Sequence, residues 1–86
     1  MNPNITQANY LKDFLDYSCH NCGKNPHDLG YINNKLNKLN GLVFSPENNN
    51  IRVNLIKSIL TDILQLWSKS GKIPPGKGPY SRFFKD

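Results

Sequence analysis

The chain has 86 residues, with 11 lysines and arginines against 6 aspartates and glutamates, and a formal net charge of +5. A chain of this length forms one small domain with a thin core. It has no room for a deep cleft between subdomains, so we expect a binding or assembly role and no enzymatic activity. Its positive charge favours nucleic acid, an anionic membrane surface or an acidic protein as the partner.

The positive charge is concentrated in the C-terminal part of the chain. Residues 57–86 carry six lysines and arginines against two aspartates, whereas residues 1–56 carry five against four acidic residues. We therefore expect an anionic partner to meet the C-terminal part.

Membrane insertion and secretion are not expected from this sequence. No apolar run approaches the length of a membrane span, and the polar N-terminus lacks the pattern of a secretion signal. Two cysteines three positions apart do not make the framework of a secreted disulfide-rich domain. The expectation is a cytoplasmic protein with reduced thiols and no membrane partner.

The first predicted helix covers residues 7–17, with Thr6 as its N-cap. Its apolar side chains recur at helical spacing and form one stripe. They are Tyr10, Leu11, Phe14, Leu15 and Tyr17. Residues 18–24 are predicted to be a connection.

Both cysteines and both histidines lie within nine residues, as Cys19, His20, Cys22 and His27. This stretch resembles the retroviral-type zinc knuckles, which bind single-stranded nucleic acid and hold zinc with three cysteines and one histidine. The resemblance implies zinc ligation by Cys19, Cys22 and His27. The position of the fourth ligand is Ile32, and a structural zinc normally has four protein ligands. The predicted site is therefore incomplete.

Three interpretations of the cysteine–histidine cluster remain open. In the first, Asp28 or a partner chain completes a metal site. In the second, the cysteines are small, partly buried hydrophobic residues in a turn. In the third, they form a redox dithiol, although Cys22 lies several residues before the next predicted helix start and would gain little acidity from it.

The second predicted helix covers residues 26–40. Asn25 is a suitable N-cap, Pro26 suits the first helical position and Gly41 marks the end. Its apolar stripe consists of Leu29, Ile32, Leu36 and Leu39. Residues 42–44 are short and apolar, and they are predicted to be either a loop or a small strand.

The third predicted helix covers residues 51–70 and has the widest apolar face. That face is made by Ile51, Leu55, Ile56, Ile59, Leu60, Ile63, Leu64, Leu66 and Trp67. Because so wide a face packs against two neighbours, the predicted fold is all-α, a compact three-helix bundle. Trp67 is predicted to lie in its core rather than in an exposed docking patch.

The bundle is predicted to span residues 1–71, followed by an irregular basic C-terminal arm over residues 72–86. Prolines and glycines exclude a regular helix in the arm, and its cations alternate with aromatic residues. This pattern suits single-stranded nucleic acid, where cations contact phosphates and rings stack on bases. The candidate contacts are Lys69, Lys72, Lys77, Tyr80, Arg82, Phe83 and Lys85. The alternatives are that Tyr80, Phe83 and Phe84 fold back onto the bundle, or that the arm is disordered.

These features predict a small basic accessory protein that binds nucleic acid or a nucleoprotein complex through its arm. The alternative is a protein-binding adaptor or inhibitor, of the kind often carried by viruses and mobile elements, that contacts a host or cellular protein. A homodimer is a further alternative, because a second copy would complete the metal site or cover the remaining apolar surface of the third helix.

Overall fold

Three α-helices pack against one another to form the molecule. The computed structural model describes residues 3–78 and residue 80, and for residues 3–6 it describes the backbone alone. The helices are α1 (Pro3–Cys22), α2 (Gly30–Gly41) and α3 (Asn49–Ser70), and each contacts the other two. No strand occurs in the described ranges. The predicted all-α three-helix bundle is confirmed.

Helix α1 is longer than the sequence predicts at both ends. It begins at Pro3, so Thr6 lies within the helix and is not its N-cap, and residues 18–22 continue it instead of forming a connection. Ser18 and Cys19 are fully buried and extend the stripe begun by Leu11, Phe14 and Leu15. The helix ends only where Gly23 adopts a left-handed conformation (φ 68°), which glycine reaches without steric cost. Burial of Ser18 and Cys19 thus accounts for the continuation of α1 beyond residue 17, and Gly23 marks its end.

The predicted second helix is divided in two. Residues Pro26–Asp28 form a short 3-10 helix, Leu29 leaves helical geometry, and α2 begins at Gly30. Asn25 caps the 3-10 helix as predicted, since its side chain accepts a hydrogen bond from the His27 N–H at 3.0 Å. The Asn33 amide donates to the carbonyls of Pro26 and Leu29. These two bonds hold the 3-10 helix against α2.

The core lies where the three apolar stripes meet. Its buried hydrophobic members are Ala8, Leu11, Phe14, Leu15, Cys19, Leu29, Ile32, Leu36, Leu39, Ile59, Ile63, Leu66 and Trp67. Trp67 is 4% exposed and belongs to the core, as predicted. Ile51 is 47% exposed and lies outside it. Residues 43 and 44 form an irregular, exposed connection and no strand.

Polar contacts between helices fix their relative directions. The Trp67 indole N–H donates to the buried Ser18 hydroxyl at 2.8 Å, which joins α3 to α1 near their C-terminal ends. The Lys35 ammonium bonds Asp62 at 2.6 Å and the Ser58 hydroxyl at 2.8 Å, which joins α2 to α3.

The contacts between α1 and α3 advance together from Ser18–Trp67 to Cys22–Ser70, so these two helices point the same way. The short connections on either side of α2 make it antiparallel to both. The C-terminal ends of α1 and α3 meet at one end of the bundle.

Candidate nucleic-acid interface

The meeting point of the α1 and α3 C-termini forms the first part of the candidate site. The Ser70 hydroxyl lies 3.3 Å from the Cys22 sulfur, and the Lys72 ammonium donates to the Asn21 carbonyl. Gly71, in the left-handed conformation (φ 74°), ends α3 and turns the chain. The turn places Lys72 across the end of α1. It thereby brings the start of the arm beside residues that lie about fifty positions earlier in the sequence.

Lysines are gathered at this end. Lys24 follows α1, Lys69 lies in the last turn of α3, and Lys72 follows that helix, and all three are exposed. We call Lys24, Lys69 and Lys72 the basic end. Lys77, also exposed, lies five residues further along the arm. Lysines are favourable at helix C-termini, where backbone carbonyls carry partial negative charge, and Lys72 serves that role for α1.

These lysines have no acidic partner among the residues that the structure describes. The salt bridge found there joins Lys35 to Asp62, in the middle of the α2–α3 contact. The charges of Lys24, Lys69, Lys72 and Lys77 therefore remain available to an anionic ligand. Clusters of exposed lysines are one of the features that nucleic-acid-binding surfaces share.

The arm returns to the bundle at Tyr80. The Tyr80 ring is stacked on Phe14, with ring centroids 5.0 Å apart and planes at 28°. Its centroid is also 5.6 Å from that of Tyr10 and 5.4 Å from that of Tyr17. We call Tyr10, Phe14 and Tyr17 the aromatic dock. The fold-back alternative therefore holds for Tyr80, and its face toward Phe14 is not free to stack on a base while it is docked.

Docking of Tyr80 on the aromatic dock should weaken at alkaline pH. Burial raises the pKa of the Tyr80 phenol above its ordinary value of 10.0, and the negative charge of Asp13 adds to the effect. A raised pKa in the folded state means that the neutral phenol is the form that stabilises docking. The contribution is complete below pH 10.0 and is lost as the pH rises through the higher folded value.

We expect Tyr80→Phe to remove part of this alkaline loss, because phenylalanine keeps the ring contact and cannot ionise. Thermal unfolding of the two proteins, followed from neutral pH upward, measures the effect. Superimposable pH profiles would show that Tyr80 ionisation does not affect stability.

The cysteine–histidine cluster is arranged differently from a metal site. Cys19 points into the core, Cys22 is half-buried at the end of α1, and His27 is exposed on the 3-10 helix beyond Gly23. The described residues contain no group of three or more histidine, cysteine or acidic side chains placed to hold a metal ion. The structure thus does not bring Cys19, Cys22 and His27 together as ligands. The reason is that α1 continues through both cysteines and turns Cys19 inward.

The two thiols should differ in reactivity. Burial raises the pKa of the Cys19 thiol, and the nearby Asp16 and Cys22 raise it further. Because the thiolate is the nucleophile, we expect Cys22 to react first with an aromatic disulfide reagent and Cys19 to react only as the helix opens. The time course of thiol release measures this, and Cys22→Ser should remove the fast phase. Two equally fast thiols in the native protein would contradict the burial of Cys19.

A cleft lies near the N-terminus of α3, at the opposite end of that helix from the basic end. This cleft has a volume of about 340 Å³ and is lined by Phe44, Ser45, Pro46, Asn49 and Arg52. The Arg52 guanidinium sits 4.4 Å from the centre of the Phe44 ring and bonds the Asn49 side chain. Sequence reasoning did not single out this cleft. The only signal was an aromatic residue in the short apolar stretch 42–44.

Three predicted contact residues, Arg82, Phe83 and Lys85, lie outside the described residues, as does Phe84. In the part that is described, no helix is both long enough and apolar enough to pass through a membrane. Comparisons of the chain with protein-family models, with curated proteins and with solved structures gave no match.

Proposed function

We propose that this chain is a small, basic, non-enzymatic accessory protein of the cytoplasm that binds nucleic acid or a nucleoprotein complex. One observation carries the proposal: exposed lysines without an acidic partner in the described ranges lie at the adjoining ends of α1 and α3 and on the arm. Phosphates are suitable counterions for such a cluster. Neutralising them releases condensed ions from the nucleic acid and drives binding.

The proposed contact surface combines the basic end with the arm. Lys69, Lys72 and Lys77 belong to the set predicted from sequence, and Lys24 joins them because α1 and α3 end together. Tyr80 has the role of an anchor, since it fixes the arm on the aromatic dock near Lys77. Phosphate contacts by Arg82 and Lys85, and base stacking by Phe83, stay predictions.

Fluorescence anisotropy with labelled single-stranded DNA and RNA tests the proposal. We expect the full chain to bind both. A plot of the logarithm of the association constant K against the logarithm of salt concentration should have a slope of about −0.7 for each phosphate contacted. Four lysine contacts then give a slope of about −3. Absence of binding at low salt, or binding that does not respond to salt, would contradict the proposal.

The alternative function is a protein-binding adaptor or inhibitor, and a separate surface favours it. Val43 is 71% exposed and Phe44 is 52% exposed in the connection before α3, beside the Arg52 cleft. A protein partner that buried these side chains would bind with little dependence on salt. The salt titration therefore distinguishes the two functions.

A further inference from the structure

The first part of the arm is presented to solvent. Ile73 is 88% exposed, more than any other large hydrophobic side chain among the described residues, and Pro74 and Pro75 are partly exposed. No backbone hydrogen bond described in the structure involves residues 73–78. These residues therefore contribute little to the packing of the bundle.

The conformation of this segment is restricted by its own sequence. Each proline ring fixes its φ near −65°. A residue before proline is held out of the helical region, and this applies to Ile73 and to Pro74. Both ends are also attached, because the Lys72 N–H bonds the Trp67 carbonyl and Tyr80 is docked on Phe14. The prolines and the two attachments thus lower the entropy cost that a partner would have to meet in ordering this segment.

The charges on either side of the prolines define the partner further. Lys72 and Lys77 flank the apolar centre, are exposed, and form no salt bridge within the described part of the chain. The Lys72 ammonium uses one donor for the Asn21 carbonyl, and an ammonium group has three. A complementary surface therefore has an apolar groove with acidic groups at its rim.

We propose that residues 72–77 are a docking segment for a protein domain that reads proline-rich chains. Such domains have grooves lined by aromatic rings that accept a preformed polyproline II segment. In this chain Ile73, Pro74 and Pro75 would fill the groove, and Lys72 and Lys77 would face acidic groups at its rim. A plain linker between Lys72 and Tyr80 requires neither the exposed isoleucine nor the two adjacent prolines. This function goes beyond nucleic-acid binding. Ile73, Pro74 and Pro75 have neither a positive charge to contact a phosphate nor an aromatic ring to stack on a base.

The test is a nuclear magnetic resonance titration of the isotope-labelled full chain with purified SH3, WW and EVH1 domains that have acidic groove rims. We expect at least one domain to shift the resonances of residues 72–77 and to leave those of α2 unchanged. Ile73→Ser should weaken that binding by about tenfold, the effect of losing one buried aliphatic side chain. Pro74→Ala combined with Pro75→Ala should weaken it at least as much.

Matched controls separate this proposal from general effects. Ile51→Ser changes another exposed isoleucine, on α3, and should leave the affinity unchanged. Because Ile73 lies outside the core, Ile73→Ser should keep both the fold and oligonucleotide binding. The docking proposal can therefore fail while the nucleic-acid proposal holds, and the reverse. If none of the domains shifts residues 72–77, or if Ile73→Ser binds as tightly as the unmodified chain, the proposal is overturned.

Discussion

Replacing Phe14 with alanine is expected to lower the free energy of unfolding by about 3–5 kcal/mol, the usual cost of deleting a buried phenyl ring. Phe14 is completely buried in the α1 stripe, and its ring is stacked on Tyr80. The substitution would leave a cavity in the core and remove the floor of the aromatic dock. Because small domains are stable by only about 5–15 kcal/mol in total, the variant should be largely or wholly unfolded in mild denaturant.

Urea denaturation followed by circular dichroism measures this loss. Tyr31→Ala is the matched control, since Tyr31 is an aromatic residue of α2 that is 52% exposed, and surface substitutions usually change stability by no more than about 0.5 kcal/mol. Tyr80→Ala should fall between the two, because Tyr80 is only partly buried. A Phe14→Ala variant as stable as Tyr31→Ala would show that the core and the dock are not arranged as described.

The combined substitution Lys69→Gln, Lys72→Gln and Lys77→Gln is expected to weaken oligonucleotide binding at every sequence tested. Phosphate contacts carry no sequence information, so their loss lowers affinity uniformly. Three lost contacts should also make the slope of log K against log salt concentration shallower by about 2. Anisotropy titrations at several salt concentrations measure both quantities.

An equal change in net charge elsewhere provides the control. Lys12, Lys38 and Lys57 are exposed, one on each helix, and none belongs to the basic end. Changing these three to glutamine should reduce affinity far less and leave the slope nearly unchanged. Equal losses in the two triple variants would mean that net charge, and not the proposed surface, controls binding. Retention of helical circular dichroism excludes unfolding as the cause.

The helices could be predicted because their apolar residues recur at regular spacing, but two boundaries depend on distant contacts. Ser18 is polar and was assigned to a connection, yet it is buried because its hydroxyl meets the Trp67 indole 49 positions away. No local pattern contains that pairing. The break at Leu29 likewise involves Asn33, whose amide donates to the carbonyl of Pro26 before the break and to the carbonyl of Leu29 itself.

The candidate site could be predicted only in part. Charge counting indicated Lys69, Lys72 and Lys77, but Lys24 joins them through the parallel arrangement of α1 and α3, which a linear charge count does not contain. The spacing of Cys19, Cys22 and His27 suggested metal ligands. Because α1 continues through Cys22, the helix instead directs Cys19 into the core. Spacing alone does not determine whether side chains converge.

The most direct test of nucleic-acid binding by the basic end is a heteronuclear magnetic resonance titration of the full chain with a single-stranded oligonucleotide at low salt. We predict that the amide resonances around Lys24 and from Lys69 to Lys77 shift together, and that those of α2 and of the Phe44–Arg52 cleft do not. Shifts centred on that cleft, or no shifts at all, would contradict the proposed surface.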